Sequence, residues 1–404
     1  MKTPEIISFH PGKQHNLEQA YQLAKSFKNY KHITSLYFDA QTVKFWEKVL
    51  PKVGANLKKR SAPLAGAFVD TNPLLEVKML LKRKLGYKAK NADYLDRNEN
   101  FQEWIIRNYA PPKICIGYDT SSWVVFEKWK NKSFLVLDLS IAIPQYKLTL
   151  AKEYNSDAEF IYNQTKDDGP SYDIYTKELE LADLILCGSE FVRDSCLSVG
   201  TDPAKLVVLP YGADLNKFSN KESQLQNEGK LKIAFIGAIN YRKGADVVLK
   251  AWGNIVKEFP QAELHFYGNV QMEVSATVER VVYHGFIHQD SLVQELKTAQ
   301  ISILPSFLEG SSLAIYQSMA MGLAVITTPN TGSIIEHNKN GLLVRYGSVA
   351  ETTDALRLLL QDKLLRTRLA TTAQADIQEY SWDTYGNKLN SLLQSVLQKQ
   401  RILK

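Results

Sequence analysis

The chain has 404 residues, 45% hydrophobic and 23% charged, with 49 Lys and Arg against 43 Asp and Glu for a formal net charge of +6. That length exceeds what one hydrophobic core usually organises and predicts two domains of ordinary size. No apolar run approaches the roughly 20 residues that span a bilayer, which argues against a membrane-spanning protein.

Met1 to Glu5 lead directly into the strand-like Ile6-Ile7-Ser8-Phe9, without a long apolar segment, so a cytoplasmic chain is expected. A turn at Pro11-Gly12 follows, flanked by His10 and His15, which are expected to be exposed loop histidines. Then comes a helix carrying Leu17, Ala20, Tyr21 and Ala24 at helical spacing. Two basic stretches, "ANLKKRSAPL" and "PLLEVKMLLKRKLGYKAK", gather Lys58, Lys59, Arg60, Lys78, Lys82, Arg83, Lys84, Lys88 and Lys90. They suit either a solvated helix or a peripheral surface for anionic lipid headgroups.

The strand-like runs "PKICIGYD" and "SFLVLDLS" end at Asp119 and Asp138; each acid could cap a turn or orient a substrate hydroxyl. Asp167-Asp168, in "QTKDDGPSY", reads as a solvated turn and not as a metal ligand set, and no metal is expected. After "ADLILCGS" and "KLVVLPYG" comes the polar stretch Asp214 to Lys230, read as a linker. From Leu231, "LKIAFIGAINYRKGADVVLKAWGNIV" repeats the strand, loop and helix grammar of the N-terminus. "AELHFYGNV", "ERVVYHGF", "AQISILPS" and "GLAVITTP" continue it, and the chain ends in helical "YSWDTYGNKLNSLLQSVLQKQ". Cys115, Cys187 and Cys196 form no CxxC pair and are read as packing residues.

Short apolar runs alternating with helical segments indicate parallel sheets. The predicted fold class is therefore α/β, with two Rossmann-like doubly wound domains, 1–213 and 231–380, joined by 214–230. Ligands in such sheets bind beyond the carboxyl ends of the strands, so two facing domains make a shared cleft.

At two of these strand ends the residue types suggest anion chemistry. Glu309-Gly310-Ser311-Ser312 joins the strand Ile301–Leu304 to a helix-like run from Leu313. Unpaired amides and the dipole at a helix start attract anions, and glycine and serine allow close approach. Glu309 either complements that dipole or grips a ligand. Lys243-Gly244, after Ile233–Ile236, is either a solvated lysine or a partner for phosphate.

Together "GAINYRKGADVVLKAW", "VVYHGF", "ADLILCGSEFVRDSCLSVGTDPAKLVVLPYGADLNKF" and "LPSFLEGSSLAIYQSMAMGLAVITTPNTGSIIEHNKNGLLVRYG" resemble family 4 of the retaining nucleotide-sugar glycosyltransferases, which have the GT-B fold. "HPGKQHNLEQAYQLAKS" is similar to the opening of some bacterial polysaccharide-assembly members. The resemblance implies a donor site in the second half. Glu309 contacts the sugar, the amides of Ser312 and Leu313 meet the phosphate, and Gly237, Lys243, Phe286, Gly310 and Ser311 lie at the same site. It further implies that Gly12 approaches the donor phosphate and that the terminal helix, 381–404, packs back on the first domain.

There are two departures. The family's second glutamate falls on Gln317, and Ala238 stands where a phosphate-binding arginine is usual, leaving Arg242 as a candidate substitute. The implied reaction is a metal-independent, front-face displacement with retention, from a nucleotide diphosphate sugar to a glycan or lipid-linked acceptor. Asp119 and Asp138 stand as acceptor-side candidates. Contact with an anionic membrane on its inner face fits such an acceptor. A catalytically silent sugar or nucleotide binder and a sugar-nucleotide epimerase are the alternatives. No basic stripe interleaved with aromatics and no finger signature supports a nucleic-acid partner.

Overall fold

A computed structural model describes residues 3–58, 60–77, 91–153, 169–219, 230–274 and 278–402. Two parallel sheets organise it. The first runs β3 (Val69–Thr71), β2 (Tyr30–Thr34), β1 (Ile6–Phe9), β4 (Ile114–Tyr118), β5 (Phe134–Leu139), β6 (Leu184–Cys187) and β7 (Leu206–Val208). In the second the order is β10 (Val281–Tyr283), β9 (Ala262–Tyr267), β8 (Leu231–Ile236), β11 (Ile301–Leu304), β12 (Ala324–Thr327) and β13 (Leu342–Leu343).

Strands β1, β4, β6, β11 and β12 are buried along their whole length, which is why they read as unbroken apolar runs without alternation. In each sheet the strand order reverses beside the first strand of the domain, between β1 and β4 and between β8 and β11. Side chains on the loops leaving those strands meet in the crevice where doubly wound sheets bind ligands. This is the architecture that the GT-B resemblance implies.

The chain crosses between domains twice, and the two crossings lie side by side. Ala213 pairs with Ser381 and donates its N–H to the Tyr380 carbonyl at 2.8 Å. A β-carbon on Gly212 would sit 2.4 Å from the Trp382 nitrogen, so the crossing segments touch backbone to backbone. Part of the polar stretch read as a linker is in fact core. Asp214 organises a turn by accepting from Lys217 N–H at 3.1 Å, and Phe218 is only 1% exposed. Residues 220–229 lie outside the described residues.

Helix α1 (Asn16–Ser26) follows β1. The terminal helix, for which Leu389, Leu393 and Leu397 provide a buried stripe at i, i+4, i+8, lies along α1. Asn390 Nδ2 reaches Ser26 Oγ at 2.7 Å and Lys25 pairs with Asp383 at 2.7 Å. All three cysteines are buried free thiols. No described helix is long and apolar enough to cross a membrane.

Candidate active site

On the second domain, the loop after β8 is built to hold two cations in place. Asn240 accepts from Lys243 N–H at 3.1 Å and closes a tight turn over Tyr241–Lys243. Gly244 then adopts φ 72°, where a β-carbon would stand 2.3 Å from the Pro305 carbonyl oxygen; only glycine fits. A β-carbon on Gly237 would meet the Lys243 stem at 2.9 Å, so that glycine leaves the lysine its path.

Both cations converge on Glu309. Lys243 Nζ lies 2.9 Å and Arg242 Nη1 2.5 Å from the same oxygen, Oε1, and Arg242 also donates to the Leu308 carbonyl at 2.7 Å. Adjacent side chains thus do point the same way here, because the turn brings both onto the β11 loop. The Glu309 side chain is 13% exposed. Burial opposes its charge, yet Lys243 and then Arg242 outweigh it and hold the carboxyl below its ordinary value.

Beyond Glu309, Gly310 seats the loop against the first domain: a β-carbon there would be 1.9 Å from the Ser140 carbonyl oxygen. Ser189 Oγ donates to the Gly310 carbonyl at 2.5 Å, and Ser311 Oγ accepts from Tyr211 N–H at 3.3 Å. Ser312 precedes helix α2 (Leu313–Ala320) without a side-chain capping bond, and its N–H is already used, donating to the Thr331 carbonyl at 3.2 Å. The expected anion-binding amide therefore shifts along the chain. Leu313 and Ala314 have N–H groups without partners among the described residues, at the positive end of α2. Gln317 lies one turn further on, half-buried and with no hydrogen bond to its side-chain amide among the described residues. Phe286, after β10, is 59% exposed and meets the His288 ring edge-on.

The first domain departs more from expectation. His10 and His15 are buried, not exposed. His10 Nδ1 lies 3.1 Å from the Gly12 nitrogen and 3.0 Å from its carbonyl oxygen, so Gly12 packs against the imidazole. Burial, with smaller contributions from Arg97 and His15, lowers the His10 pKa to about 3 and keeps the ring neutral. Asp119 accepts from Ser140 N–H at 3.0 Å and from the Tyr175 hydroxyl at 2.8 Å, which commits both of its oxygens. Burial nevertheless raises its pKa. Asp119 therefore buttresses the segment on which Gly310 rests.

Asp138 is likewise inside, paired with His15 Nε2 at 3.1 Å and Gln19 Nε2 at 2.5 Å. Gln19 in turn bonds the hydroxyls of Tyr118 at 2.6 Å and Tyr385 at 2.8 Å, tying the terminal helix to the end of β5. Sequence reasoning reads His15 as an exposed loop histidine and passes over Gln19 and Tyr211. A signal was present for the first two, which stand four residues apart on one side of the first turn of α1.

Of the basic residues, Lys59, Lys78, Lys82, Arg83, Lys84, Lys88 and Lys90 lie outside the described residues, as do Asp167 and Asp168. Arg60 is paired with Glu76. Among the described residues no group of three His, Cys, Asp or Glu is placed to hold a metal ion.

Residues 230–362 match the family described as glycosyl transferases group 1. An uncharacterised glycosyltransferase of Methanocaldococcus jannaschii is 24% identical over 52% of this chain and 59% of its own length. A D-inositol 3-phosphate glycosyltransferase of Corynebacterium aurimucosum is 24% identical over 57% of this chain and 62% of its own. The chain thus spans about three fifths of the length of these relatives. The Anabaena protein HepE, solved in complex with UDP, superposes with a TM-score of 0.63 at 14% identity, covering 97% of this chain and 100% of the other. Two facing parallel sheets with this likeness establish a GT-B fold, and within its second half residues 230–362 are similar to group 1 glycosyl transferases.

Proposed function

We propose that the protein transfers a sugar, with retention and without a metal, from a nucleotide diphosphate sugar to a glycan or lipid-linked acceptor. One observation carries this reading. Glu309, Lys243 and Arg242 form a partly buried cluster at the carboxyl ends of β8 and β11, beside the open amides of Leu313 and Ala314.

Glu309 holds both cations. An arriving diphosphate competes for Lys243 and Arg242, while the α2 amides supply further donors. The carboxylate, released from part of its pairing, accepts from sugar hydroxyls, and such charge-assisted bonds are about twice as strong as neutral ones. As the sugar–phosphate bond loosens, charge builds on the diphosphate, where these fixed donors stabilise it. Phe286 offers an exposed ring for the nucleobase, and by resemblance Gln317 is the residue that meets the ribose. Closure across the Gly310 and Ser140 contact then brings the acceptor domain over the donor and excludes water.

The HepE complex with UDP makes uridine conjugates the first donors to try. An acceptor at a membrane is supported by the paired helices Ala40–Val49 and Pro51–Lys58. They expose Phe45, Val49, Leu50 and Val53 interspersed with exposed Lys44, Lys48 and Lys52, a composition that suits an anionic surface. The second reading, a binder without turnover, is favoured only by Gln317 and Ala238.

Calorimetric titration with UDP, GDP and their sugar conjugates tests the proposal. One preferred nucleotide sugar, lost in Lys243→Ala and Glu309→Ala, is the expected result. The anomeric configuration of the product, read by NMR, tests retention. Absence of binding by every nucleotide at millimolar concentration overturns the donor site, and binding without any turnover establishes the binder.

A further inference from the structure

At the carboxyl end of the first sheet, three cations come together from separate parts of the chain. Arg60 is anchored beside the loop after β2, where its carbonyl accepts from Phe38 N–H at 3.0 Å. Glu76 follows β3, and Arg97 lies on the helix Asn91–Asn108, which precedes β4. Arg60 Nη2 is 2.5 Å from Glu76 Oε1 and Arg97 Nη1 is 3.6 Å from Oε2, so one carboxylate spans both guanidinium groups. Asn98 accepts from Arg97 at 2.8 Å and donates to the Thr120 carbonyl at 2.7 Å, which fastens that helix to the loop after β4. Lys13, in the loop after β1, completes the group. Partial desolvation, and then the Arg60 charge, lower its pKa.

Glu76 answers only part of this positive surface. Among the described residues, Arg60 uses Nη2 alone of its guanidinium nitrogens, and exposed Lys13 has no carboxylate partner. Glu76 Oε2 and Arg60 Nη1 are buried without hydrogen bonds, as is the hydroxyl of Ser35, the first residue after β2. The cluster is nevertheless open at its edge, since the side chains of Arg60 and Arg97 are 24% and 14% exposed. Guanidinium forks match the paired oxygens of a phosphate, and an ammonium adds a point charge from any direction.

Resting on the glycosyltransferase reading, we propose that Arg60, Arg97 and Lys13 form an anion subsite for the acceptor, which is a phosphate-bearing molecule. The phosphate takes the Arg60 donors that Glu76 leaves unused, together with the Lys13 ammonium. Glu76 competes for the same guanidinium groups and so sets how strongly an anion must bind to enter. The subsite stands at the carboxyl ends of β1 to β4, beside the loop after β5 where Ser140 meets Gly310 of the donor loop. Arg60 is therefore a cleft residue and not part of an outward basic surface.

Calorimetry on the full chain compares glucose, glucose 6-phosphate and the soluble lipid dihexanoyl-phosphatidylinositol, with folding followed by thermal melt. At least one phosphate probe should bind about 10-fold or more tighter than glucose, and the preferred probe tells a soluble sugar phosphate from a lipid phosphodiester. Arg60→Gln should weaken that probe by about 10-fold. Lys13→Gln, at an exposed position, should weaken it by about threefold without altering the melt. Lys28→Gln removes the same charge before β2, at the opposite end of the sheet, and should change binding by less than about twofold. Retained binding in Lys243→Ala places the phosphate outside the donor loop.

Glu76→Gln gives a readout that a purely structural ion pair would not, because loss of the competing carboxylate should tighten the probe by about threefold. A folded Glu76→Gln that binds more weakly overturns the proposal. So do equal affinity for glucose and both phosphates, absence of phosphate binding at millimolar concentration, and a loss confined to Lys243→Ala. These titrations contain no nucleotide, so failure of wild type to bind any nucleotide sugar refutes the glycosyltransferase reading separately.

Discussion

Replacing Gly310 by alanine tests whether the closed cleft depends on a missing methyl group. Gly310 is not among the residues with positive φ, so its backbone accepts alanine, and the perturbation is the new β-carbon alone. That atom would lie 1.9 Å from the Ser140 oxygen and 2.7 Å from its carbonyl carbon, whereas real contacts stay beyond 3.0 Å. The two surfaces must therefore separate by at least 1.1 Å, the difference between 3.0 and 1.9. Separation also strains the bonds from Ser189 Oγ to Gly310 O and from Ala142 N–H to Glu309 O.

Overpacking typically costs about 1–3 kcal/mol, which shifts a closed-to-open equilibrium by roughly 5- to 150-fold. Nitroxides at Lys48→Cys and Gln294→Cys, both exposed and on opposite domains, report the separation by electron–electron resonance; the native thiols are buried. Gly310→Ala should lengthen and broaden the distance distribution and lower turnover while leaving nucleotide affinity nearly intact. An unchanged distribution with unchanged turnover would refute the reasoning that this contact gates closure.

Glu309→Gln should lower the thermal midpoint at pH 7, because it leaves Lys243 and Arg242 facing each other. The loss should be about 1–3 kcal/mol, below the usual cost of breaking a buried pair since Arg242 is partly solvated. Its folded pKa lies below the ordinary 4.5, so the charge contributes stability above that value and loses it as pH falls through the folded pKa. Melts against pH should accordingly show the gap between wild type and variant closing below pH 4.5. Gln317→Glu should tighten nucleoside diphosphate binding by about fivefold in calorimetry, the difference of about 1 kcal/mol between a charged and a neutral acceptor. In the absence of ligand, Tyr211→Phe should raise the melting temperature or leave it unchanged, since it removes a buried hydroxyl that has no partner among the described residues; a clear decrease would reveal a bond to that oxygen.

The buried strands and the cation cluster were legible because each depends on local composition. β1, β4, β5, β8 and β11 are apolar runs that turn signals bound, and Lys243 and Glu309 both follow such runs. Edge strands β3 and β13 are only three and two residues long, and β2, paired on both sides, mixes Lys31 and His32 into its run, so periodicity hardly marks them. Phe218 in a polar stretch is core only because Asp214 folds a turn beneath it. What the sequence could not show is competition for atoms. Asp119 and Asp138 end strands as expected, yet Ser140, Tyr175, His15 and Gln19 occupy their oxygens, and these partners come from 21 to 123 residues away. Likewise Thr331 takes the Ser312 amide from a loop after the next strand.

The return of the terminal helix to the first domain governs how such proteins can be recombined. Tyr385, Asn390 and the Leu389 stripe complete a surface that begins at α1, so the first half is specified by two stretches at opposite ends of the chain. A chimera cut once, near residue 230, would join an α1 surface from one parent to a terminal helix from the other. Exchange of acceptor preference between related chains therefore calls for a donor-domain cassette inserted between residues 214 and 381, with both flanks inherited together.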